Sequence, residues 1–150
     1  MKIAIAAVAT ALVLGAASDG SAFRYWSAAQ LSSEQAKLGT NPKGGFETLA
    51  DFGTHNIMLA VRHGNGQAEW HEKMADVFVA RSGTATVVVG GEMVDGKTTA
   101  PGEMRGSSIR GGERQALAPG DAMHIPAKTP HQILMKDGDT FSYFVVKAQE

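Results

Sequence analysis

The stretch AEWHEKMADVFVARSG, Ala68 to Gly83, crowds Glu69, His71, Glu72, Lys73 and Asp76 directly ahead of an apolar run, Val77 to Ala80. Charge of that density is either a solvated loop or the polar end of a buried strand pair. Glu69 and His71 lie two positions apart, so on a strand both side chains leave the same face. Asp76 stands at the start of the next strand and, with a bend between, reaches the same cavity. Trp70 then points the opposite way, into packing. Glu72 and Lys73 face solvent.

The flanking sequence sets the fold class. NIMLAVRH from Asn56 and TATVVVGGE from Thr84 read as strands, and DVFVARSG reads as continuing the sheet after a short break. From Arg114 onward, brief apolar runs alternate with turn residues at Pro119-Gly120-Asp121, Pro126, Pro130 and Asp137-Gly138-Asp139. Turn signals recur about every ten residues and no helical pattern follows residue 40. The 18 glycines agree, since tight turns need residues that tolerate positive φ. These features predict an all-β protein, an antiparallel sandwich or barrel. Ahead of it, RYWSAAQLSSEQAKLG, Arg24 to Gly39, reads as a short helical arm. Ser27 with Gln30 forms its capping box, and Gly39 and Asn41-Pro42 end it. KGGFETLADFGTH is a loop or an edge strand.

The totals exclude several classes. A chain of 150 residues suggests one domain, and a net charge of -1 gives no reason to expect nucleic acid. Without cysteine there is no disulfide and no thiolate site, so metal ligands must come from His, Asp and Glu. The five histidines are His55, His63, His71, His124 and His131. At the N-terminus, Lys2 precedes an Ala-rich apolar run, Ile3 to Ala17, and Gly20-Ser21-Ala22 offers small residues at both cleavage-recognition positions. The expected division is a signal peptide over 1–22, cut after Ala22 or alternatively after Ala17, an arm over 23–45 and a barrel domain over 46–150. The mature chain is then expected to be periplasmic or secreted, with no membrane segment after cleavage.

Two segments carry a resemblance. Glu69-Trp70-His71 is followed by four residues, Asp76, six residues and Gly83. Gly120 is followed by five residues, Pro126-Ala127-Lys128, two residues and His131. In order and spacing these resemble the two motifs of the cupin superfamily, His-x-His…Glu…Gly and Gly…Pro-x-Gly…His. The resemblance covers roughly Asn56 to Val146. It departs at four places: Glu69 stands for the first His, Asp76 for Glu, Lys128 for Gly, and Met135 for a following Asn. It implies a double-stranded β-helix, or jelly-roll barrel.

The residues themselves support a metal site at Glu69, His71, Asp76 and His131. Two imidazoles with one or two carboxylates suit a divalent ion such as Fe, Mn, Zn, Ni or Co. Burying two carboxylates together is costly without a cation or a proton. Each role has a plainer alternative. Asp76 is a turn residue or cap, and Glu69 is a solvated rim residue or a catalytic base instead of a ligand. His55 is expected at the surface, and His124 at the surface or behind the ligands. His63 and Arg62 lie at a strand end, where one of them could reach the cavity but exposure is the default. Met58, Phe78, Met123, Ile133 and Phe144 are expected to line the pocket or the core.

Three functions stay open on this reading. One is a metal-dependent enzyme of dioxygenase, isomerase, decarboxylase or lyase type acting on a small organic substrate. The others are a non-catalytic module binding a metal or small-molecule ligand, and a structural scaffold. The resemblance also allows a homodimer paired through sheet edges. The Gly91–Gly112 insert is long for a hairpin and is a lid or a partner surface.

Overall fold

The computed structural model describes residues 23–150; the expected signal segment, 1–22, lies outside the described residues. The described residues open with one helix, α1 (Ala28–Gly39), whose capping box forms: Ser27 Oγ accepts from the Gln30 amide and Gln30 Oε1 accepts from the Ser27 amide. No residue of α1 is buried. It rests on the barrel through Leu38 near Gly45, and Gln35 donates to Ser82 Oγ at 3.2 Å.

Thirteen strands follow: β1 (Gly44–Asp51), β2 (His55–Arg62), β3 (Ala68–His71), β4 (Met74–Ser82), β5 (Ala85–Val89), β6 (Glu92–Val94), β7 (Lys97–Ala100), β8 (Glu103–Gly106), β9 (Ser108–Arg110), β10 (Glu113–Leu117), β11 (Ala122–Ile125), β12 (His131–Leu134) and β13 (Phe141–Gln149). One sheet runs β1-β2-β13-β4-β11 and the other β10-β5-β12-β3-β8-β7, with β6 and β9 as a separate pair. Every pairing is antiparallel. This is the all-β jelly roll expected, with its short helix. KGGFETLAD contains the edge strand β1.

The core lies between the two sheets. Ala60, Phe78, Phe141, Tyr143 and Val145 come from the first, and Val87, Leu117 and Ile133 from the second or its margin. Alternation along β13 shows how this works: Phe141, Tyr143 and Val145 are buried in the core, and the next residue on that face is Lys147.

One expectation is corrected. The run from Asp76 does not continue the sheet of Glu69-Trp70-His71. The exposed Glu72 and Lys73 carry the chain from β3 in one sheet to β4 in the other. The turn sets His71 and Asp76 on facing sheets, which is why they meet across the barrel instead of along one strand.

Two motif positions share the left-handed backbone conformation but carry different residues. Gly83 closes β4 at φ 71°, and a Cβ there would lie 1.9 Å from the Thr140 carbonyl oxygen. Lys128, standing where the resembled motif has Gly, also has positive φ, 62°. Its amide donates to the His71 carbonyl at 2.7 Å, which holds the loop before β12 against β3. A non-glycine residue in this region costs roughly 1–2 kcal/mol. Gly83→Ala is therefore expected to destabilise by more than about 3 kcal/mol, whereas Lys128→Gly should lose nothing and gain up to about 1 kcal/mol. Urea unfolding of the two variants against the parent measures both; equal effects of the two would refute this account.

Candidate functional site

Register brings the site together. In the second sheet Glu69 lies directly opposite His131, and on its other side opposite Arg105; His71 lies opposite Glu103. In the first sheet Asp76 lies directly opposite Lys147. Directly opposed residues in an antiparallel pair share a face. The two sheets thus present Glu69, His71 and His131 from one side and Asp76 and Lys147 from the other. The ligand atoms of Glu69, His71 and His131 all fall within 4.8 Å of one another.

The histidines are oriented from behind. His71 Nδ1 is 2.7 Å from Glu103 Oε2 and His131 Nδ1 is 3.0 Å from the Thr129 carbonyl. Both partners accept, so Nδ1 of each ring carries a proton, and Nε2 is left as a lone pair when the imidazole is neutral or as a second donor when it is protonated. That is the disposition of metal-ligating histidines. His71 Nε2 lies 3.3 Å from Asp76 Oδ2 and 3.6 Å from Glu69 Oε2. His131 Nε2 lies 3.1 Å from Asp76 Oδ2 but out of line, and it is buried without a hydrogen-bond partner. A lone pair facing a carboxylate oxygen at that distance is repulsive. Only a proton or a cation between them relieves it.

The cation held by the chain itself is Lys147. Its Nζ donates to His71 Nε2 at 2.7 Å and to Asp76 Oδ1 at 2.8 Å. Asp76 is 2% exposed. Burial alone would raise its pKa, yet hydrogen bonds from His131 and His71, donated when Nε2 carries a proton, and the Lys147 charge more than reverse this and hold it well below the usual carboxylate range. Glu69 is different. It is partly exposed, with Arg62 Nη2 3.5 Å from one oxygen and Arg105 Nη2 3.5 Å from the other. Arg62 also donates through Nε to the Tyr143 hydroxyl at 2.8 Å, and burial raises the pKa of that phenol.

In front of Glu69, Asp76 and Lys147 opens a cavity of about 410 Å³, whose lining does not include His71 or His131. Its polar lining is Lys43, Arg62, Glu69, Asp76, Arg105 and Lys147, and Phe46, Met58, Phe78 and Val145 supply apolar wall. Of the expected pocket residues, Met58 and Phe78 line it. Met123 and Ile133 belong to the core, and Phe144 stacks outward under Arg81, 5.1 Å from the guanidinium carbon. His124 is exposed beside Glu150. His63 bonds Thr140 and the Gly39 carbonyl. His55 stacks on Phe52.

The four residues expected from spacing do converge. Lys147, Glu103 and Arg105 join them from outside the set that spacing predicts, and of the strand-end pair His63 and Arg62 it is Arg62 that reaches the cavity. Lys147 is legible in the alternation Phe141, Tyr143, Val145, Lys147. Glu103 and Arg105 have no such signal. They come from the Gly91–Gly112 insert, and only the pairing of β8 with β3 makes them part of the site.

No family model matches the sequence, and no curated protein matches it. Solved structures do. The chain is similar to TT1209 from Thermus thermophilus (TM-score 0.57, 21% identity, covering 79% of this chain and 93% of that one). It is also similar to KdgF from Halomonas sp. (TM-score 0.50, 17% identity, 70% of this chain and 79% of that one). A third is a cupin superfamily protein from Desulfitobacterium hafniense (TM-score 0.50, 14% identity, 71% and 77%). At such identities the likeness is one of fold: this chain has the small jelly-roll barrel of these structures, one of which is named as a cupin superfamily protein, and its own residues Glu69, His71 and His131 gather within it.

Proposed function

We propose that this chain is an exported cupin-fold protein that holds a divalent metal ion on Glu69, His71, Asp76 and His131 and takes a small organic anion in the cavity before it. The observation that carries the metal reading is the pair of imidazoles with Nδ1 committed behind and Nε2 turned to the front, one of them buried without a partner. The donor set fits: two nitrogens and two carboxylates suit Fe, Mn, Zn, Ni or Co. A bound ion would polarise a ligand oxygen as a Lewis acid. Glu103 and the Thr129 carbonyl keep the rings turned inward. Glu69, exposed to the cavity, is the group placed to exchange a proton with a ligand, and a lyase, isomerase or dioxygenase type of enzyme is the reading that uses it.

The ligand's charge follows from the lining. Lys43, Arg62, Arg105 and Lys147 outnumber Glu69 and Asp76 there. A carboxylate with an apolar body matches both the cations and the Phe46, Met58 and Phe78 wall. A binding module without turnover is the second reading. It is favoured by Lys147, which already satisfies Asp76 and His71. Export rests on the charge and apolar run of residues 2–17. Among the described residues no helix is long and apolar enough to cross a membrane. Self-association along the edge strand β1, which leaves Phe46 66% exposed, belongs to the same reading.

Metal analysis after anaerobic loading with Fe(II), Mn(II) or Zn(II) is expected to find one ion per chain. His71→Ala and His131→Ala should each weaken binding by at least about tenfold. Less than one ion per several chains, or unchanged content in both variants, refutes the site. For the ligand, calorimetry with matched aromatic carboxylates and their amides should favour the carboxylates by about tenfold, a preference that Arg105→Met reduces; equal binding of the two sets is the contrary result. In metal-free protein the depressed Asp76 pKa makes its contribution complete above the ordinary carboxylate value of about 4, and lost as pH falls below it. Asp76→Asn should therefore cost about 3 kcal/mol at pH 7, with the gap to the parent closing in acid. Parallel stability curves from pH 7 to pH 3 would contradict that role.

A further inference from the structure

The proposed metal position and the Lys147 ammonium occupy the same place. A metal ion on His71 must approach Nε2 to roughly 2.1 Å. Lys147 Nζ lies 2.7 Å from that nitrogen and donates to it. One lone pair accepts one partner, so the ammonium and the ion exclude each other there. Asp76 is held in the same way, with Nζ 2.8 Å from Oδ1. Lys147 also lines the cavity and its side chain is 20% exposed, so the open volume gives Nζ somewhere to go.

Resting on the metal reading above, we propose that Lys147 is a resident counter-cation that competes with the metal for His71 and Asp76 and sets how tightly the site loads. Without metal it neutralises Asp76 and satisfies the His71 lone pair, so the Asp76 carboxylate keeps a cationic partner. On loading it must swing into the cavity, where its charge sits beside the ligand with Arg62 and Arg105. Metal affinity is thereby lower than the four donors alone would give, since each ion that enters displaces an ion pair already made.

The test is a titration of Zn(II) and of Mn(II), each alone, into the wild type, Lys147→Met and Lys147→Arg. Lys147→Met is expected to bind at least about tenfold more tightly than the wild type, while Lys147→Arg, which keeps the charge, stays near the wild type. The metal-free Lys147→Met protein should also be the less stable, because Asp76 loses its partner. A gain in metal affinity joined to a loss of stability is a combination that a merely structural lysine does not produce. Equal or weaker binding by Lys147→Met overturns the proposal but leaves the metal reading standing if the wild type binds and His71→Ala does not. No binding by any of the three overturns both. Because Lys147→Met leaves a buried carboxylate unpaired and is at risk of misfolding, the wild type supplies a second measurement. Acetylation of Lys147, followed by mass spectrometry, should accelerate several-fold when Zn(II) is added. An unchanged or slower rate overturns the proposal.

Discussion

Everything at the mouth of this barrel answers to one buried charge. Asp76 is 2% exposed, on a strand whose inward face is otherwise core. An ionised carboxylate in such a place is stable only if cations or protons surround it. The fold meets that demand from three strands. Lys147 comes from the neighbouring β13, and His71 and His131, which answer the charge once a proton or a cation sits on Nε2, come from β3 and β12 in the facing sheet. Glu103 and the Thr129 carbonyl fix the two rings from behind, and the carboxylate fixes Lys147 in front of them.

The fold is legible in the sequence because its signals are local. Short apolar runs, turn residues at regular intervals and glycines at positive φ are written along the chain and need no knowledge of distant partners. The four expected ligands are legible for a related reason: two-residue spacing puts Glu69 and His71 on one face, and motif spacing places Asp76 and His131. What spacing does not show is that Asp76 faces His71 from another sheet. The break at Glu72-Lys73 looks the same in sequence whether the chain continues a sheet or crosses between two.

The residues behind the ligands are illegible for a topological reason. Glu103 orients His71, and Arg105 flanks Glu69, only because β8 pairs with β3. That pairing joins segments separated by 32 positions at His71 and Glu103, through a Gly-rich insert, and no pattern within the insert announces it. Lys147 is the intermediate case. Its place on the inward face follows from simple alternation with Phe141, Tyr143 and Val145. Sequence reasoning tends to treat a lysine near a strand end as solvated, which is its usual state.

The surrounding cations also give a physical account of the most unusual letter in the motif. The resembled motif pattern supplies three imidazoles and one carboxylate, a formal charge of −1 with neutral rings. Here Glu69 stands for an imidazole, so Glu69 and Asp76 together carry −2. Each carboxylate has its own cations: Arg62 and Arg105 each lie 3.5 Å from one of the Glu69 oxygens, and Lys147 lies 2.8 Å from Asp76. The extra carboxylate is therefore compensated where it stands, by arginines of β2 and β8 that reach it only in the folded barrel.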